Sequence, residues 1–193
     1  MKLLHLDTSA LGTNSVTREL TAAVVARWQD AQADLIVEYR DLDANPLPHL
    51  TGSSLAKADP AQAEADEATL QQFLDADVVV IGAPFYNFSI PSTLKAWIDR
   101  VAVAGRTFRY TEAGPEGMAG GKKVVIVSGR GGQYGDTSPA DFQEAYLRQV
   151  FGFIGVTDVE IVRAEGVAYS PQHRADALAA AHASIRSPLA KAA

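Results

Sequence analysis

The run Val78-Val79-Val80-Ile81 most narrows what this chain can become. Four consecutive β-branched residues show no polar alternation, so both faces of the strand they form must be buried. That is the mark of a parallel sheet covered by helices on either side. Val124 to Val127 repeats the pattern, and Leu3 to Leu6, Leu35 to Tyr39 and Val159 to Val162 supply three more strand-sized runs. Between them lie stretches with helical spacing. Leu20, Val24 and Trp28, with Ala23 beside them, mark one. Leu70, Phe73 and Leu74 mark a second that starts at Pro60, preceded by a surface loop within the Ala- and acid-rich segment Ala56 to Ala68. Leu94, Trp97, Ile98 and Val101 mark a third, with Pro91 in its first turn. Leu147, Val150, Phe151 and Ile154 mark a fourth, with its N-terminus expected at Asp136-Thr137-Ser138-Pro139. Leu178, Ala181 and Ile185 mark a fifth, starting at Ser170-Pro171, and the tail after Pro188 is expected to fray.

Five strands alternating with five helices predict an α/β fold, a doubly wound five-stranded parallel sheet in one domain spanning 1–193. Right-handed crossovers leave the flavodoxin-like order 2-1-3-4-5 as one of two common arrangements. One insertion interrupts the alternation. Thr107-Phe108-Arg109-Tyr110-Thr111, followed by Gly114, Pro115 and Gly117, reads as a small hairpin or flap beside the sheet.

Composition removes several function classes. A net charge of -6 argues against a nucleic-acid partner, which wants a basic surface. With no cysteine there is no disulfide, thiolate metal site or cysteine nucleophile. His5, His49, His173 and His182 lack ligand spacing, so no metal is expected. No apolar stretch reaches membrane-spanning length and Met1 to Asp7 is too short for a signal sequence, so the chain reads as cytoplasmic, with no membrane partner.

In an open parallel sheet, ligands bind beyond the carboxyl ends of the strands, where strand order reverses. Three loops meet there. Thr8 to Thr17 joins a strand to a helix and is rich in hydroxyls. The unpaired N–H groups and positive dipole end of that helix suit a phosphate, and capping by Asn14 or Ser15 explains the same residues equally well. No Walker lysine pattern and no G-x-G-x-x-G is present. Pro84-Phe85-Tyr86-Asn87-Phe88 follows the most buried strand with three aromatic rings, a wall for a flat ligand or a cap on the core. Ser128-Gly129-Arg130-Gly131-Gly132 brings backbone amides close to whatever binds. Its arginine is either a ligand contact or one half of an ion pair. A phosphate at the first loop and a flat ring between the other two have the shape of FMN.

Pro84 to Pro91, with Leu94-Lys95 and Trp97-Ile98-Asp99 after it, resembles the signature of the FMN-dependent NADH azoreductases, which belong with the flavodoxin-like quinone reductases. Thr107 to Thr111 running on to Gly117, Arg130-Gly131-Gly132 and Gly152-Phe153-Ile154-Gly155 are similar to the same family, so the resemblance covers nearly the whole chain. It implies a homodimer with FMN bound to each subunit at the interface and NADH or NADPH as co-substrate. It also implies a two-step (ping-pong) exchange in which a quinone or azo compound takes the hydride. Residue by residue, it implies Ser9, Ser15, Val16 and Thr17 at the phosphate, and Pro84, Phe85, Tyr86, Asn87 and Phe88 along the flavin. Gly129, Arg130, Gly131 and Gly132 fall at its pyrimidine edge, and Asn87, Tyr110 and Phe153 around the substrate, with no catalytic side chain singled out. Phe85 stands where the family often has Met, which narrows the expected pocket, and Val16 stands where it often has a polar residue.

The glycine loop and the aromatic insertion favour this reading over a one-electron flavodoxin-type carrier or a non-catalytic FMN-binding interaction protein. Trp28 and Trp97 are expected in the core. Asp7 is expected as a turn or cap residue, and Asp99 and Arg100 as surface or interface charges.

Overall fold

A computed structural model describes residues 1–186 and Pro188 of the 193, so the expected fraying after Pro188 lies outside the described residues. Five parallel strands form the central sheet: β1 (Lys2–Asp7), β2 (Ile36–Asp41), β3 (Val78–Pro84), β6 (Lys123–Gly129) and β7 (Asp158–Ala164). Their spatial order is β2-β1-β3-β6-β7. Counting only these strands, that is 2-1-3-4-5. The other two strands, β4 (Phe108–Thr111) and β5 (Gly114–Gly117), pair antiparallel as a separate two-stranded unit.

Residues alternate between the two faces along each buried strand. Leu4, Leu6, Val79, Ile81, Val124 and Ile126 point into one core. Helices α3 (Pro60–Asp75), α4 (Ser92–Val101) and α5 (Gln143–Phe153) close that core with Phe73, Trp97 and Phe151. Leu3, Val78, Val80, Val125 and Val127 point into the other, where α1 (Val16–Ala31) and α6 (Pro171–Ser184) bring Leu20, Val24, Trp28 and Ala181. All seven β3 residues are buried, as its unbroken apolar sequence requires.

Three local expectations need correction. The described residues hold six α-helices rather than the five expected, the extra one being the short α2 (Gly52–Leu55), opened by a Thr51–Ser54 capping box. Helix α5 begins at Gln143 rather than at Asp136–Pro139. The carboxylate of Asp141 accepts the N–H groups of Gln143 and Glu144, so the start is fixed by an acid beyond the proline. Arg100 is buried rather than on the surface, its Nε donating to Asp66 at 3.0 Å.

The antiparallel hairpin occupies a definite place relative to the sheet. Helix α4 descends from the carboxyl rim, spanning about 15 Å over its ten residues. The chain makes the hairpin at the bottom and only then enters β6. A Cβ on Gly117 would fall 2.1 Å from the Gly155 nitrogen, and Ala119 donates its N–H to the Ile154 carbonyl. The hairpin is therefore fastened to the end of α5, at the amino rim of its own sheet.

Candidate functional site

At the carboxyl rim the strands end in Asp7, Pro84 and Gly129, and the loops that follow are tied to one another. The Tyr86 hydroxyl lies 3.3 Å from the Ser9 hydroxyl and accepts the Ala10 N–H. Phe85 donates its N–H to the Gly129 carbonyl at 2.9 Å, and its ring meets Tyr134 at 4.7 Å between centroids. The hydroxyl loop, the aromatic loop and the glycine loop thus converge on one crevice.

The hydroxyl loop passes through a single 3-10 turn (Gly12–Asn14) and caps α1 with Ser15, whose hydroxyl accepts the Arg18 N–H. Capping therefore falls to Ser15 and not Asn14. Ser9, Ser15, Val16 and Thr17 are all buried, and the Ser15 and Thr17 hydroxyls are 3.1 Å apart. Among the described residues, no acceptor takes the backbone N–H of Val16 or Thr17. Two free amides and a pair of buried hydroxyls at the positive end of a sixteen-residue helix give this end of α1 the donors that suit an anion. What Val16 offers at this end of the helix is its backbone N–H, which does not depend on its apolar side chain. Gly129 brings the third loop against it, since a Cβ there would stand 3.0 Å from the Thr17 methyl.

The aromatic loop turns within four residues. Tyr86 and Ser89 exchange both backbone hydrogen bonds, and Asn87 and Phe88 take φ of 49° and 69°, a tight turn of the type I′ class. A bulky residue at positive φ is strained. The strain presents the Phe88 ring, 51% exposed, at the rim. Phe85, Phe88 and Tyr134 form a cluster of tilted and edge-on rings. Below it, Gln143 is fully buried. Its amide nitrogen donates to the carbonyls of Ala83 and Pro84, and its amide oxygen accepts from Ser128. A cavity of about 540 Å³ opens beside the turn, lined by Tyr86, Asn87, Ile90, Lys95 and Tyr146. Burial pushes the Tyr146 phenol above its usual range.

The glycine loop is held from beneath. The Gly131 and Gly132 carbonyls accept from Ala168 and Gly166, while no acceptor in the described chain takes the Gly131 or Gly132 N–H. Arg130 resolves as an ion pair. Its side chain is fully buried against Asp141, Glu144 and Glu165, and the guanidinium lies 4.8 Å from the Phe85 ring centre. Glu165 also accepts the Gly135 N–H, and Arg163 adds a second guanidinium on Glu144. Arg130 therefore braces the loop from beneath, with its side chain fully buried and turned to these acids.

Tyr110 and Phe153 are not on this rim. Both pack on Phe108, at 5.5 and 4.5 Å between centroids, with Tyr110 76% exposed on the hairpin. No ring contact links that group to Phe85 and Phe88.

Next to the hydroxyl loop lies a charged group around Asp7. Expected as a turn or cap residue, Asp7 instead accepts from the Thr21 and Tyr39 hydroxyls and stands 3.6 Å from His5. Burial alone would push the Asp7 carboxyl up, but His5, Thr21 and Arg18 together hold it below its usual value. The Arg18 guanidinium likewise lowers Asp41. Tyr39 is pushed up to about 12, by burial first and then by Asp7 and Asp41. One signal in the sequence pointed here: an arginine in the first turn of a helix, where the dipole disfavours a cation, needs partners of its own.

Comparisons with known proteins bear on the family and the fold. A family model described as a flavodoxin-like fold matches residues 1–189. The chain is 69% identical over 187 residues to an FMN-dependent NADH:quinone oxidoreductase of Stenotrophomonas maltophilia (strain K279a), covering 97% of this chain and 95% of that one. It is 68% identical over 185 residues to an FMN-dependent NADH:quinone oxidoreductase 1 of Xanthomonas axonopodis pv. citri (strain 306), covering 96% and 95%. Among solved structures, an FMN-dependent NADH-azoreductase from Bacillus anthracis str. Ames Ancestor, in complex with FMN, superposes with a TM-score of 0.86 at 25% identity, covering 96% of each chain.

Proposed function

The chain belongs to the flavodoxin-like family of FMN-dependent NADH:quinone oxidoreductases and NADH-azoreductases, and on that premise we propose that it holds FMN in the carboxyl-rim crevice and passes a hydride from NADH to quinones, and to azo compounds, in two separate half-reactions. The observation that carries the assignment is the set of unaccepted backbone N–H groups. Those of Val16 and Thr17 belong to the hydroxyl loop and those of Gly131 and Gly132 to the glycine loop.

The residues present fit the group. Ser9, Ser15 and Thr17 with the α1 amides would hold the phosphate. Phe85 to Phe88 would flank the ring, and Gly131 and Gly132 would meet its pyrimidine edge. When bound, FMN supplies the two-electron chemistry, accepting hydride from the nicotinamide and yielding it to the acceptor. The chain's part is electrostatic and steric. The Gly131 and Gly132 amides, in a loop held through the Gly131 and Gly132 carbonyls, would offer preorganised donors to an electron-rich ring edge. The Asn87 amide, in the turn after β3, would be a donor beside the ring. The cluster of Phe85, Phe88 and Tyr134 would exclude water from one side of the ring.

The position of the hairpin supports a homodimer. Because it is fastened at the amino rim of its own sheet, Tyr110 and Phe153 would shape a substrate space only across a subunit interface. Tyr110 of the partner subunit would then face the crevice, and an acceptor would bind between the chains.

The test is steady-state kinetics of the FMN-saturated protein with NADH, NADPH, a quinone panel and an azo dye. Parallel lines in double-reciprocal plots are expected, because the first product leaves before the acceptor enters. Tight FMN binding with no NADH consumption in the presence of any quinone overturns the assignment in favour of a non-catalytic flavin binder.

A further inference from the structure

We propose that Arg18 is a positioning residue that sets the phosphate cradle from behind without touching the phosphate, an inference that rests on the FMN reading above. The guanidinium carries five N–H groups, and the structure accounts for every one. Nε and one Nη2 hydrogen go to the Ser9 carbonyl, at 3.3 and 2.9 Å. The other Nη2 hydrogen and one on Nη1 form a fork on the two oxygens of Asp41, at 2.8 and 2.6 Å. The last Nη1 hydrogen goes to the Tyr39 hydroxyl at 3.2 Å. Asp7, at 3.8 Å, adds a second negative charge. An arginine so occupied has no donor left for a ligand, and its charge is already balanced by neighbouring carboxylates.

Its position explains what the fork is for. Arg18 reaches both ends of the hydroxyl loop. Its side chain fixes Ser9 through the carbonyl, and its own backbone N–H donates to the Ser15 hydroxyl. Receiving that bond, the Ser15 hydroxyl keeps its hydrogen for another acceptor, Thr17 or a phosphate oxygen. Asp41 in turn is anchored at the end of β2 by accepting the Asp43 and Ala44 N–H groups. The loop after β1 is thus clamped to the end of the neighbouring strand through one planar side chain. Lysine, a point charge with no fork, cannot reproduce this geometry.

The test compares FMN with riboflavin, which lacks the phosphate, by fluorescence titration of the full-length chain freed of flavin. Arg18→Lys is expected to weaken FMN roughly tenfold while changing riboflavin less than about twofold. Asp41→Asn, which leaves Arg18 in place but loosens its anchor, is expected to weaken FMN in the same direction by a smaller factor. Equal weakening of both flavins would give Arg18 a merely structural role and overturn the proposal, as would unchanged FMN affinity in both variants. Tighter FMN binding by Asp41→Asn also overturns it, because that is what a guanidinium released to the phosphate would produce. If the unaltered chain binds neither flavin, the FMN reading itself fails, and that is visible before any variant is made.

Discussion

The phenol of Tyr86 and the hydroxyl of Ser9 stand 3.3 Å apart, joining residues separated by 77 positions in the chain. The same phenol accepts the Ala10 N–H, so one side chain joins the aromatic loop to the hydroxyl loop. Tyr86→Phe keeps the ring and removes both contacts. It is expected to lower stability in urea by about 0.5–1.5 kcal/mol and to raise the FMN dissociation constant a few-fold. Unchanged values in both measurements would separate the two loops energetically.

Gln143 carries more. It is fully buried and serves two backbone carbonyls at the end of β3 and the Ser128 hydroxyl of β6. Gln143→Leu fills the space but strands those partners. A loss of about 2–3 kcal/mol in the denaturant midpoint analysis is expected, against a near-neutral result for Gln143→Glu if only shape mattered.

At the opposite rim, Gly117 and Gly155 touch backbone to backbone. A methyl group on Gly117 has nowhere to go, because the obstacle is main chain and not a flexible side chain. Gly117→Ala is expected to cost about 1–3 kcal/mol and to raise hydrogen exchange across Phe108–Gly117 more than in β3 or β6. In the proposed dimer it would also raise KM for the acceptor more than it changes FMN affinity.

The charged group around Arg18 predicts a pH signature at both ends of the scale. Asp7 and Asp41 have folded pKa values below the unfolded one of about 3.9. The stability they lend is therefore whole above that value and drains away as pH falls through the lowered folded pKa. Asp41→Asn is expected to make the acid limb of the stability curve shallower. Tyr39 behaves oppositely. Unfolded, it ionises near about 10, and folded only near about 12, so stability drops as pH climbs across that interval. Tyr39→Phe is expected to flatten that alkaline fall, as read by equilibrium unfolding in a pH series.

The elements that sequence patterns announced are those whose physics is local. Val78 to Ile81 signals double burial through consecutive β-branched residues, and β3 is buried end to end. Ser170-Pro171 signals a helix start because cap and first turn are neighbours, and the Ser170 hydroxyl does accept the His173 N–H. The start of α5 is not legible locally, because its capping acid, Asp141, lies past a Ser-Pro pair that has the pattern of a first turn. Arg130 could be read either way, since its partner Glu144 is 14 residues on and Glu165 is 35. No local pattern specifies which acid will fold beneath which arginine. Gln143 gave no signal at all, because a lone glutamine at the head of an amphipathic helix is ordinary until two strands end above it.

Phe88 holds a backbone conformation that glycine would adopt freely, with φ of 69°. Two kinds of directed evolution should therefore pull that position apart. A library sorted for heat resistance should enrich glycine or asparagine there, relieving a penalty of about 1–3 kcal/mol. One sorted for turnover of bulky acceptors should retain the ring.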